Sequence, residues 1–220
     1  MELSRETRRD PDRRLIMPMF PLGTVLFPYV LLPLHVFEPR YRLMLRHVLD
    51  GDREFGVVLI ERGSEVGGGD TRFDVGTVAR IVQAAELPDG RYALSTVGLR
   101  RIGIRRWLAD DPYPRAEVVY LEDSTGRNAV AERENAVAAL ARVVELARQI
   151  DTRVGAPPEL ADDPVRASYE AAAAAPIGAF DAQRLLATPD AATRLALLAG
   201  LLDDRAAELR ARLDLDDGAG

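Results

Sequence analysis

Few residues in this sequence could do covalent or acid–base chemistry. There are five serines, Ser4, Ser64, Ser95, Ser124 and Ser168, and none sits in the G-x-S-x-G elbow that exposes a nucleophilic hydroxyl. There is no cysteine, which removes thiol nucleophiles and thiolate metal sites. All 29 basic residues are arginine. Without lysine the chain cannot form a Schiff base, a P-loop or a Ser–Lys dyad. The two histidines, His35 and His47, lack the His-x₃-His spacing of a zinc site. We expect His35 to be a satisfied structural residue among apolar neighbours and His47 to lie on the exposed face of a helix. The carboxylate pairs Asp50/Asp52, Asp110/Asp111, Asp162/Asp163 and Asp203/Asp204 fall in turn-like or helix-surface contexts, where capping and solvation explain them. Gly67-Gly68-Gly69 has no helix after it and no suitably placed basic residue, so it reads as a loop rather than a phosphate cradle. The sequence points to no metal, no cofactor and no catalysis.

Residues suited to binding are more conspicuous. Phe27, Pro28, Tyr29, Phe37 and Tyr41 stand in a proline-rich apolar stretch. Most of its aromatics belong in a core. One or two left exposed beside a Pro28-Tyr29 turn would make a patch suited to unfolded chain. Arg100 and Arg101, with Arg105 and Arg106, form a basic cluster within seven residues. We include Arg100 and Arg101 in the candidate surface, which comprises the face near Phe27–Tyr29 and the groove between the two halves of the chain. The net charge of −6 opposes a general nucleic-acid binder.

The elements that must hold these residues divide near residue 124. Residues 1–14 are charged and read as a disordered arm. Leu15–Phe20, Thr24–Phe27 and Leu31–Val36 are short apolar runs broken by proline, so they should be strands at edges or bends. Glu38-Pro39 opens a helix carrying Tyr41, Met44, Leu45 and Val48 at helical spacing. Phe55–Ile60 reads as a buried strand, 61–74 as a loop, and Val75–Gln83 and Arg91–Val97 as a hairpin around Pro88-Asp89-Gly90. Gly98 and Gly103 suggest bulges, and Arg115–Glu122 alternates as a half-buried strand does. Beyond Asp123 the pattern is helical. A first helix over 128–154 would use Val130, Val137, Leu140, Val144, Ala147 and Ile150 as its stripe. Asp163-Pro164 starts a second, Asp181–Ala187 is a third, and Thr188-Pro189 caps a fourth with Leu195, Leu198, Leu202, Ala206, Leu209 and Leu213 inward. Residues 215–220 read as a tail. The fourth helix leaves open whether it completes its own bundle or a neighbour's. Strands first and helices later indicate an α+β fold.

The stretch PMFPLGTVLFPYVLLPLHVFEPRYRLML (Pro18–Leu45) resembles the opening of the Lon substrate-binding domain family, especially its short bacterial stand-alone members. EFGVVLIERGSEVG (Glu54–Gly67), VGTVARIVQAAELPDGRYALSTVGLRRIGI (Val75–Ile104) and YPRAEVVYLED (Tyr113–Asp123) follow in the family's order. The tail PIGAFDAQRLLATPDAATRLALLAGLL is similar more loosely. The resemblance implies a PUA-like β-barrel with one inserted helix over 15–124, followed by an all-helical bundle over 125–214. It also implies a non-enzymatic module that binds unfolded or exposed polypeptide, adaptor-like or chaperone-like, with a protease or chaperone as partner. The alternatives are an RNA-binding PUA-like protein and a hydrolase with an unrecognised site. The charged start, without an apolar targeting core, and the lack of a long apolar run lead us to expect a cytoplasmic protein without membrane attachment.

Overall fold

A computed structural model describes residues 14–62 and 71–217. The expected arm, apart from Arg14, the triple glycine and the last three residues lie outside these. The chain forms two compact units, one of Met1–Leu26 with Leu31–Glu122, the other of Phe27–Val30 with Asp123–Gly220.

The first unit holds the strands β1 (Leu15–Leu22), β2 (Leu31–Val36), β3 (Glu54–Arg62), β4 (Thr71–Glu86), β5 (Tyr92–Trp107) and β6 (Arg115–Tyr120), with helix α1 (Pro39–Leu49). Their order is β2-β5-β4-β3-β1-β6, and β6 also pairs with β5. The ladder β5-β4-β3-β1-β6 therefore returns to β5, while β2 is attached on one side only. β5 serves three neighbours because it is long. It meets β2 over Tyr92–Val97, β4 over Tyr92–Gly103 and β6 from Ile102 onward. The register steps between Thr77 and Ala79 of β4 while β5 advances from Arg101 to Gly98, so the expected bulge at Gly98 is present. Gly103 instead stays in register with Val119.

Three expectations about strands need correction. Thr24–Phe27 forms no strand, the chain passing from β1 to β2 without one. The run 61–74 is not a loop throughout, because β3 continues to Arg62 and β4 begins at Thr71. β1 carries Pro18 and Pro21 yet lies inside the sheet order. Its register explains this. Leu15–Pro18 pair with β6 and Met19–Leu22 pair with β3, so no residue of β1 is registered with both neighbours. A proline nitrogen can face the unpaired side without breaking a ladder.

Alternation along the strands builds two apolar clusters. Phe55 and Val57 of β3 and Ala79 and Ile81 of β4 pack with Tyr41, Met44, Leu45 and Val48 of α1. Val58 and Val78 point the other way, onto Met17, Met19, Ile102 and Val118. Burial on both faces is why Phe55–Ile60 is apolar without interruption. α1 starts at Pro39 as expected. Gly90, with φ of 77°, makes the β4–β5 turn. Gly76 is required for another reason: a Cβ there would collide with the Val57 carbonyl.

The second unit contains α2 (Ala129–Ile150), α3 (Pro164–Ala174), α4 (Ala179–Ala187) and α5 (Ala191–Asp217). Asp163 caps α3, its carboxylate accepting the Arg166 N–H at 2.8 Å. The α5 cap is Asp190 rather than Thr188: its carboxylate accepts the Thr193 N–H at 2.8 Å. The leucine stripe of α5 is buried from Leu195 to Leu209, and the helix continues to Asp217, into the start of the segment expected to be a tail. The α2 stripe differs from expectation. Ala129, Ala136, Ala139, Leu140 and Val143 are buried, whereas Val130 and Val137 are exposed. No helix among the described residues is long and apolar enough to cross a membrane.

Candidate functional site

The seven residues singled out for binding separate into two exposed aromatics, four residues engaged in packing and one at an intermediate position. Tyr29 is 47% exposed and Phe37 is 55% exposed. Phe27, Pro28 and Tyr41 are buried, and Arg101 is 1% exposed with its guanidinium donating to the Glu122 carbonyl at 2.7 Å. Arg100 is half-buried over the ring of Tyr120. The expected basic face is therefore dispersed: Arg101 is internal, and exposed Arg106 bonds Glu117 at 3.3 Å. Arg105 stays on the surface.

Phe37 belongs to the first unit. Together with Phe20, Leu22 and Leu34 it lines an open slot of about 190 Å³, between the second half of β1 and the strand β2. Phe20 is fixed by Tyr41, ring centroids 4.2 Å apart, and by Phe55 at 6.0 Å. Tyr41 thus shapes the slot from within the core. The charge at its rim is self-compensated, since Arg40 donates to Glu38 at 3.0 Å. His35, between Leu34 and Val36, is exposed on β2. His47 is exposed on α1, as expected, and its Nδ1 lies 2.9 Å from the Tyr113 hydroxyl.

Tyr29 belongs to the second unit, and its backbone is left-handed, with φ of 66°. A bulky residue adopts that conformation only where its surroundings enforce it. Tyr169 packs beside it, 6.4 Å from the ring of Tyr29 and 6.1 Å from that of Phe27. Arg166 adds a cation 5.8 Å from the Tyr29 ring. Tyr169 is itself held by Arg194, whose guanidinium lies 3.8 Å over its ring. Arg194 is fully buried and donates to Asp123 at 2.8 Å, Ser168 at 2.5 Å, the Tyr169 hydroxyl at 2.8 Å and the carbonyls of Thr188 and Leu185 at 2.7 and 3.2 Å. Tyr169 also donates to Asp123 at 2.6 Å. A buried cation needs such complete satisfaction. Sequence inspection missed Asp123, Tyr169 and Arg194 because nothing local marks an arginine as internal.

Among the described residues, Ser124 and Ser168 serve as structural hydrogen-bonding groups. Ser168 is buried, donates to the Val165 carbonyl and accepts from Arg194. Ser124 donates to Asp190 at 3.1 Å. Asp190 is held below the usual carboxylate range, first by the Thr193 N–H, then by the Thr193 and Ser124 hydroxyls and the charge of Arg194. That is the chemistry of a helix cap, not of a general base. No group of three or more His, Cys, Asp or Glu that could hold a metal occurs among the described residues.

Residues 16–204 match the family model of the ATP-dependent protease La (LON) substrate-binding domain. The chain belongs to the Lon substrate-binding domain family. The Lon protease of Escherichia coli K12 is 29% identical over 204 residues, covering 88% of this chain and 26% of that protease. Lon protease 2 of Herpetosiphon aurantiacus is 32% identical over 139 residues, 61% of this chain and 17% of the relative. The chain thus spans about a quarter or less of these Lon proteases. Two N-terminal domains of solved structure share the fold. That of the Lon N-terminal domain protein from Xanthomonas campestris superposes with a TM-score of 0.63 at 27% identity, covering 84% of this chain and 98% of its own. That of the Mycobacterium avium complex Lon protease gives 0.59 at 18% identity, covering 88% and 98%. The match is to the substrate-binding part of Lon, not to its ATPase or peptidase parts.

Proposed function

We propose that this Lon substrate-binding domain is a non-enzymatic module that captures unfolded or exposed polypeptide segments in protein quality control, acting as an adaptor-like or chaperone-like protein in the cytoplasm beside a protease or chaperone. The observation that carries the reading is the pair of exposed aromatics, Tyr29 packed beside the buried Tyr169 and Phe37 at the mouth of a slot lined by the buried Phe20 and Tyr41. Exposed aromatics of this kind offer large apolar area at small ordering cost. The returning strand ladder supports a PUA-like barrel for 15–124, and the four helices support a bundle for 125–214. The absence of lysine supports a binding role, because neither Lon catalytic centre can be assembled from these 220 residues. Arg100 and Arg101 act in this reading as support for β5 and β6, not as ligand contacts.

Retention of a chemically unfolded model polypeptide by the immobilised chain tests the reading. The parent chain should retain it, and Tyr29→Ser and Phe37→Ser should each retain less. Equal retention by the parent and a double variant, or none by the parent, would dismiss it.

A further inference from the structure

We propose that the outer edge of β2 is a docking edge for one extended, uncharged stretch of polypeptide, which joins β2 as an added strand and places an apolar side chain in the slot beside it. This rests on the polypeptide-binding reading above and specifies how the first unit would carry it out.

Three observations converge on the edge. Among the described residues β2 is the terminal strand in the sheet order and pairs with β5 alone. Across the slot, Met19–Leu22 of β1 are registered only with β3. On the β1 side the Met19 N–H is taken by the Pro114 carbonyl and Pro21 has none, so among the described residues it is β2 that offers an open main-chain edge to the slot. A row of main-chain donors and acceptors is matched best by another extended chain, since each residue of such a chain offers both. The slot floor is apolar, formed by Phe20, Leu22 and Leu34, and Phe37 stands exposed at its mouth. At about 190 Å³ it holds a side chain of the size of leucine or phenylalanine.

The chemistry of the occupant follows from charge. The carboxylate at the rim, Glu38, is already matched by Arg40. A charged ligand side chain would lose water there and gain no partner, so the segment should be uncharged where it enters. A second copy of the chain fits the edge less well. Pro33, in the middle of β2, removes one N–H and interrupts a long continuous ladder between two β2 strands, the device by which edge strands avoid self-pairing. A short segment needs only a few bonds.

Period-two chemistry distinguishes an added strand from simple apolar capture. A fluorescein-labelled peptide with an alternating valine–threonine core is titrated against the whole chain by anisotropy, beside two versions N-methylated at the odd or at the even core positions. Side chains are the same in all three. In an added strand only every second N–H faces the edge. One methylation pattern should weaken binding by about tenfold or more and the other by less than about threefold. Phe37→Ser, at an exposed position, should weaken the parent peptide by about fivefold to tenfold. Equal effects of the two patterns overturn the edge proposal and leave the polypeptide-binding reading standing. Binding of neither the peptide nor an unfolded model polypeptide overturns both. A concentration-dependent dimer that excludes the peptide and is lost in Phe37→Ser overturns the choice of occupant.

Discussion

Arg194→Met removes the centre of the buried polar cluster while keeping most of the side-chain volume. Arg194 is fully buried, and its guanidinium serves three side chains and two carbonyls. The substitution takes the cation from Asp123, which keeps the Tyr169 hydroxyl, and removes one donor from each of the Thr188 and Leu185 carbonyls. Removing one partner of a buried ion pair costs about 3–5 kcal/mol. The side chain of Asp123 is 20% exposed, so water recovers part of its solvation, and we expect about 3 kcal/mol. With an m-value of roughly 1–3 kcal/mol/M in urea, the midpoint should fall by about 1–3 M. Far-UV circular dichroism follows the helices of the second unit, and the single tryptophan, Trp107 of β5, reports separately on the first. Arg142→Met is the control. It breaks an exposed ion pair with Asp203, 2.5 Å long, and should cost less than about 1 kcal/mol. A helical transition for Arg194→Met no lower than that of the control would refute the assignment of Arg194 as the organising contact.

Three further outcomes follow from named contacts. Gly76→Ala drives a methyl into the Val57 backbone carbonyl and should lower the Trp107-monitored midpoint by about 2 kcal/mol or more, whereas Gly56→Ala meets the flexible end of Met19 and should cost less; equal costs would contradict the close approach of β3 and β4. Asp190 has a depressed folded-state pKa, so its contribution is fully present above the ordinary carboxylate value of 3.8 and is lost as pH falls through the lower folded value. Asp190→Asn should flatten the fall in helical stability in that acidic window while retaining an acceptor for the Thr193 N–H, and an unchanged pH profile would contradict the cap. Tyr169→Phe removes the hydroxyl between Arg194 and Asp123 and should cost about 1–2 kcal/mol of helical stability, with a reduced near-ultraviolet signal from the packed rings.

Strand and helix order were legible because the sheet and α1 obey simple periods. Phe55–Ile60 and the Tyr41–Val48 stripe occupy the positions their patterns indicate. α2 misled because hydrophobicity ranks valine above alanine. The helix presents Ala129, Ala136 and Ala139 inward, where small side chains permit close packing, and leaves Val130 and Val137 on a shoulder. β1 misled because its two prolines are harmless only in a strand that changes partner half-way, a property of register that no local pattern reveals. For the candidate site, the sequence singled out a segment but not which of its aromatics reach solvent. Tyr29 reaches solvent because of Tyr169 and Arg194, residues 140 and 165 positions away in the chain. Arg101 was expected outside because arginine usually is, and the carbonyl that holds it inside belongs to Glu122.

The central claim is capture of apolar polypeptide without chemistry. Its most direct test is the affinity of the whole chain for a fluorescent, permanently unfolded polypeptide, measured across a range of salt and with excess RNA as competitor. Apolar capture predicts saturable binding that changes little with salt, that RNA does not displace, and that leaves the polypeptide intact. Steep loss of affinity with salt together with displacement by RNA, or cleavage of the polypeptide by the purified chain, would contradict the account.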